Sequence, residues 1–322
     1  MINVVEMDKP DDHWNARLLE SCLGQMVQTK ERSVNYTRRG ESPLFLQFVD
    51  QKGEIVGQNL IGILPRFRSR KGKKILQNLP GIKKFTYFWT DGPIIFDSKK
   101  SDEIHTAFKD YLLSKNVRIL GKTNPLLSFN NSIFKKNFQL QEWATSIIDL
   151  SKPLDVLYKN ISRHSGRKNI EKSEKRGVKI EFISEENLND YVIVQNEFRL
   201  MQKIETTTYE HYLDWWNLMK PIGYGGFVAK KDGIPVGGLL FSFFNKVIVE
   251  AGVARSKIDF TEKLYSQDLI KWKIIQWGHE NGMRYYDLAG YNPYPKQPKE
   301  KGIKRFKEKW GGEKHSYWII KK

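Results

Sequence analysis

Gly53-Glu54-Ile55-Val56-Gly57 returns later in the chain as Gly233-Ile234-Pro235-Val236-Gly237, and each copy follows a Phe-Val pair, Phe48-Val49 and Phe227-Val228. Moving outward, Arg118, an apolar run and Asn124-Pro125 return as Arg284, an apolar run and Asn292-Pro293. Phe134-Lys135-Lys136-Asn137-Phe138 returns as Phe306-Lys307-Glu308-Lys309-Trp310. Three echoes in one order predict two copies of a single folding unit, and 322 residues leave room for both.

The hydrophobic pattern assigns similar elements to each copy. In the first, a helix is expected over 11–23 with Asp11 or Asp12 as its cap, then a hairpin of strands 44–49 and 54–64. A helix over 101–115 and strands over 117–120 and 143–150 follow. Ser151-Lys152-Pro153 marks the joint, so the domains are read as 1–150 and 151–322. In the second, a charged helix over 162–176 is closed by Gly177. Helices over 185–201 and 208–218, strands over 226–231, 235–244 and 247–254, and a long helix over 266–281 come next. A strand over 284–288, a loop over 290–301, a helix over 303–310 and a strand over 316–320 complete it. The class is α+β: two domains, each a mixed, mostly antiparallel sheet flanked by helices.

Composition narrows the function. No run approaches the about 18 apolar residues that span a bilayer. The first ten residues lack the basic-then-apolar layout of a secretory signal, and the single Cys22 rules out an internal disulfide framework, which together point to the cytoplasm. The net charge of +17 is concentrated in residues 66–84, 159–179 and 296–322. Brought onto one face, these stretches would bind phosphates, a nucleotide or RNA. Separate, they are solvated surface.

Standard catalytic sets are missing. No His/Cys/Asp/Glu spacing suggests a metal, and no Gly-x-Ser-x-Gly elbow or phosphate-binding P-loop is present. Cys22 reads as core inside an amphipathic helix. What remains is the segment 284–312, a strand ending near Asp287, then Gly290-Tyr291-Asn292-Pro293, then a basic helix. On that helix Ile303, Phe306 and Trp310 share one face and would anchor it, while Lys304 and Lys307 share a neighbouring face. Gly311-Gly312 allow a tight turn into the last strand.

Tyr286-Asp287-Leu288-Ala289-Gly290, with Gly302 to Gly311 and its Phe306-Lys307 pair, resembles the C-terminal signature of FemABX-type transferases, which are tandem GNAT-fold enzymes. Arg163 to Val178 resembles that family's charged helix opening the second domain, and Leu44 to Gly57 with Gly92-Pro93-Ile94 its first-domain hairpin and turn. The resemblance implies two GNAT-like domains and an N-acyltransferase. It would pass an aminoacyl group from aminoacyl-tRNA to an amine of a peptidoglycan-like, cell-envelope precursor. The alternative is an acyl-CoA-dependent transferase acting on an amino sugar or small amine.

No permanently bound cofactor is implied; aminoacyl-tRNA or acyl-CoA enters as co-substrate. The partners implied are tRNA and an anionic glycan or peptide precursor, with peripheral membrane contact compatible. Lys307 is placed as the group that stabilises the oxyanion or holds the donor, and Asp287 as the group steering the amine or taking its proton. Arg66, Arg68, Arg163 and Arg167, together with Gly290, Tyr291, Lys304 and Phe306, are the expected substrate-binding residues. Residues 259–266 stand where ordinary GNAT enzymes carry a Gln/Arg-x-x-Gly-x-Gly/Ala loop for the acyl-CoA pyrophosphate, which favours a different donor. A third reading, a polyanion-binding protein without catalysis, rests on the basic stretches alone.

Overall fold

The computed structural model describes residues 1–21, 24–65 and 83–322. Cys22, Arg66 and Arg68 lie outside the described residues. These residues form two compact units, 1–144 with 316–322, and 145–315. The sequence divides the chain at 150/151 instead. Residues 316–322 join the first unit because Ile319, Ile320 and Lys321 pair antiparallel with Lys122, Gly121 and Leu120.

The first unit runs β1 (Asn3–Met7), α1 (Trp14–Glu20), α2 (Lys30–Arg38), β2 (Ser42–Val49), β3 (Ile55–Pro65), β4 (Phe85–Trp89), β5 (Ile94–Ile95), α3 (Ser101–Ser114), β6 (Arg118–Lys122), α4 (Ser132–Lys135) and the start of β7 (Gln139–Asp149). β1, β2, β3 and β4 are successive antiparallel neighbours, and β4 pairs parallel with β6. The core is built from alternate residues of β2 and β3 and one face of α3, with Phe48, Trp89 and Phe108 in edge-to-face contact. Helix α1 begins three residues later than Asp11, yet Asp11 still anchors its start. Its carboxylate accepts the His13 N–H at 3.0 Å and two bonds from Arg17 at 2.7 and 2.9 Å.

The second unit continues with α5 (Leu154–Asn160), α6 (Lys168–Lys175), β8 (Val178–Phe182), α7 (Leu188–Met201), α8 (Tyr209–Met219), β9 (Tyr224–Lys231), β10 (Ile234–Phe244), β11 (Val247–Arg255), α9 (Lys257–Thr261), α10 (Ser266–Glu280), β12 (Tyr285–Tyr291), α11 (Pro298–Glu308) and β13 (Glu313–Lys321). β8 to β11 are antiparallel neighbours in order, and β11 pairs parallel with β12. The expected charged helix over 162–176 is broken in kind: it opens as a π-turn over Arg163–Arg167 before α6. Leu269, Ile270, Ile274 and Ile275 bury the inner face of α10 against Val236, Leu239 and Ile248.

The two units repeat one order: hairpin, strand, long helix, parallel strand, short helix, strand. Gly53 and Gly233 turn the two hairpins at φ of +82° and +80°, a conformation glycine adopts without penalty. Phe134 and Phe138 lie in the first unit's core with ring centroids 5.5 Å apart, and their counterparts Phe306 and Trp310 meet at 6.4 Å, with Trp310 in the second unit's core.

Candidate active site

The site follows from two irregularities in the strands of the second unit. β11 and β12 are paired at only three positions, Val247 with Tyr285, Ile248 with Tyr286 and Val249 with Asp287. Just beyond, β11 carries a bulge: Glu250 faces Phe241 and Gly252 faces Leu240, so Ala251 is the extra residue. The strands part there, and a cavity of about 730 Å³ opens between Glu250 to Val253 on one side and Ala289 on the other. That volume suits a small organic group or the end of a larger molecule. Arg255, Phe260 and Lys271 and the α11 residues Lys299, Gly302, Ile303, Phe306 and Lys307 complete the wall.

Helix α11 presents its wall residues because its start is well specified. Gln297 and Glu300 form a capping box, and Pro298 takes the first turn, where its missing N–H costs nothing. The helix therefore begins five residues before the expected 303, inside the stretch read as loop. Trp310 is buried and meets Phe306 as expected. Ile303 does not anchor the helix; it is 40% exposed and borders the cavity opening. A buried pair does the anchoring instead. Lys309 contacts Asp268 of α10, donates to the Ser165 carbonyl at 2.9 Å and sits 4.2 Å above the Phe306 ring.

Lys307 borders the cavity, and its ammonium donates to the Ala289 and Gly290 carbonyls, each at 2.9 Å. Those carbonyls are aimed by a bend at Ala289, where φ is +62°. Asp287 holds the bend: its Oδ1 accepts the Ala289 N–H at 2.8 Å and the Thr145 hydroxyl. The Thr145 Oγ1 also lies 2.8 Å from the Ala289 carbonyl, so its one proton is shared between the two acceptors. The Asp287 side chain is thus bound into the loop and is not among the residues lining the cavity.

The structure brings Lys307 and Phe306 to the wall and Gly290 next to them. It leaves Arg163, Arg167, Tyr291 and Lys304 away from it. Lys304 donates to the Pro293 carbonyl at 3.1 Å, and the Arg167 guanidinium lies 5.8 Å from the Tyr158 ring. Tyr291 is buried beside Glu308, and burial first, then that carboxylate, pushes its phenol up to about 12.

Sequence reasoning missed the closed end of the cavity. Glu250 and Lys271 form an ion pair there, with side chains only 6% and 2% exposed. The Tyr286 hydroxyl donates to the same Glu250 oxygen, Oε1, at 2.7 Å. Burial, then the charge of Glu250, raises the Tyr286 phenol well above its ordinary range, so it stays a donor. The signal was a lone acid in the apolar run 247–253 and a lone lysine among Leu269, Ile270 and Trp272. Arg255, stacked on the Phe260 ring at 3.7 Å and paired with Asp259, was missed too.

No protein-family model matches this sequence, and no curated protein does. Solved structures do. A crystal structure of FemX superimposes with a TM-score of 0.72 at 13% identity, covering 98% of this chain and 96% of that one. The chain has the FemX fold. L-PGS from Bacillus licheniformis matches at a TM-score of 0.56 and 13% identity, over 97% of this chain and 92% of the other. A tandem GNAT protein from the clavulanic acid biosynthesis pathway matches at 0.56 and 11%, over 100% and 98%. The FemX fold, two GNAT-like units in tandem, is the one implied by the resemblance of residues 286–311.

Proposed function

We propose that the chain is an N-acyltransferase that moves an aminoacyl group from aminoacyl-tRNA to an amine of a cell-envelope precursor. The observation that carries this reading is Lys307, a cation fixed by two backbone carbonyls at the edge of a cavity opened by parting strands. The acceptor nitrogen attacks the ester carbonyl carbon and a C–N bond forms. The carbonyl oxygen becomes an oxyanion, which the Lys307 ammonium stabilises. The C–O bond to the terminal ribose then breaks, and the ribose hydroxyl leaves with the proton the amine gives up. Arg255 and Lys299 at the opening supply positive charge for the donor's phosphates. Likeness to FemX and L-PGS supports the same direction.

The acyl-CoA alternative has less support. A pyrophosphate is drawn to the N–H groups at a helix N-terminus. At α10 that position is taken by the protein's own acid, since Asp259 Oδ1 accepts the Ser266 N–H at 2.8 Å. The test supplies a labelled aminoacyl-tRNA pool or labelled acetyl-CoA, with candidate amines, to the wild type and to K307A. Transfer from the tRNA pool is expected, falling about 10²–10³-fold in K307A with little change in thermal midpoint. Transfer from acetyl-CoA alone, or K307A turning over like the wild type, would overturn the reading.

A further inference from the structure

The buried acid at the cavity's closed end has a use beyond packing. Glu250 receives both Lys271 and Tyr286 on Oε1, and Oε2 has no hydrogen-bond partner among the described residues. A carboxylate oxygen at the end of a cavity walled by Ala251, Gly252, Val253 and Phe306 is an acceptor without a donor. A ligand that fills the cavity without bringing an N–H leaves that oxygen desolvated and unpaired, which is costly.

We infer that Glu250 reads the α-amino group of the transferred residue, so that the cavity selects aminoacyl donors over plain acyl ones. The inference rests on the aminoacyl-transfer reading above. Polarity along the cavity sets the direction of the ligand. Lys299 and the 43%-exposed Phe260 are solvent-facing parts of the wall, with Arg255 stacked on Phe260, and there a nucleotide's phosphates and ring find charge and an aromatic face. The acyl end then points inward past Lys307 towards Glu250. The amine that reaches Oε2 is the one carried by the acyl group.

An α-amine has an ordinary pKa near about 8, and in contact with the Glu250 carboxylate it keeps its proton and donates a charge-assisted N–H to Oε2. As an ammonium it has no lone pair to accept from an amide NH₂. Sites built to bond a ligand N–H reject the analogue lacking it far more strongly than apolar pockets reject an extra methylene.

The experiment uses the full chain and three unreactive probes: cytidylyl-adenosine bearing a 3′-alanylamide, the same dinucleotide bearing a 3′-propionylamide, and the unacylated dinucleotide. Binding is measured by calorimetry at pH 7.5. The alanyl probe should bind at least about 10-fold more tightly than the propionyl probe. E250Q should abolish the difference and leave the unacylated dinucleotide unchanged. Lys271 and Tyr286 both donate at Oε1, so they hold the new amide with its oxygen towards them and its NH₂ towards the cavity.

Because E250Q leaves Lys271 without its counter-charge, the double variant E250Q/K271M provides a neutral version of the pair and should show the same loss of preference. Equal binding of both acyl probes to the wild type, or a preference that survives in both variants, overturns the inference. If none of the three probes binds, the tRNA-donor reading fails and this inference falls with it.

Discussion

Asp287 accepts the backbone N–H of Ala289 at 2.8 Å and so fixes the bend whose carbonyl holds Lys307. This contact suggests that Asp287 positions the lysine rather than moving a proton. Two substitutions separate the roles. D287N keeps Oδ1 and should keep most activity, whereas D287A should lose about 1–3 kcal/mol of stability from the orphaned donors and weaken turnover with it. Thermal melts and initial rates of both variants are the measurement. If D287N melts like the wild type but does not turn over, the proton role stands.

The Lys309–Asp268 pair sits at a helix–helix contact with both side chains 7% exposed. Burial outweighs attraction in each partner: it raises the Asp268 carboxyl and lowers the Lys309 ammonium. K309M alone should cost about 3–5 kcal/mol, because it strands a buried carboxylate. The neutral pair D268N/K309M should recover most of that loss in denaturant melts. A K309M melt equal to the wild type would show that the pair does not hold α11 in place.

His105 makes a prediction about acid stability. It is 2% exposed between Phe129 and Phe134, and burial lowers its pKa from 6.5 to about 4. Above pH 6.5 the ring is neutral in both folded and unfolded chains and has no effect on the balance. As pH falls from 6.5 to 4 the unfolded ring takes up a proton that the folded ring refuses, so stability drops. The loss approaches about 3 kcal/mol near pH 4. Melting midpoints across this range should fall more steeply in the wild type than in H105N; parallel curves would show that His105 is not the group responsible.

The duplication was legible because its markers are local. A glycine at a hairpin turn and two rings four residues apart about a helix's C-terminal end are set by neighbours in sequence, and both recur as structure at Gly53 and Gly233 and at Phe134 and Phe306. Helix α11 was legible in its body but not its start, although Gln297-Pro298-Lys299-Glu300 spelled the cap. β1 was missed because an edge strand with one paired side shows little alternation. Glu250 and Lys271 were legible only as lone charges in apolar runs, and their pairing was not. The two residues sit on different elements, and only the packing of α10 against β11 brings them together. Phe306 and Lys307 reach the cavity wall as a local reading allows, whereas Arg163 and Arg167 are placed elsewhere by the π-turn.

The extra residue at Ala251 makes the opening a matter of chain arithmetic rather than of side-chain choice. A lineage could exchange every group on the wall and still inherit the gap, because the hollow is written in how many residues β11 spends between two rungs. Removing one residue there would let the strands zip further and close the hollow, whatever chemistry the remaining side chains could offer.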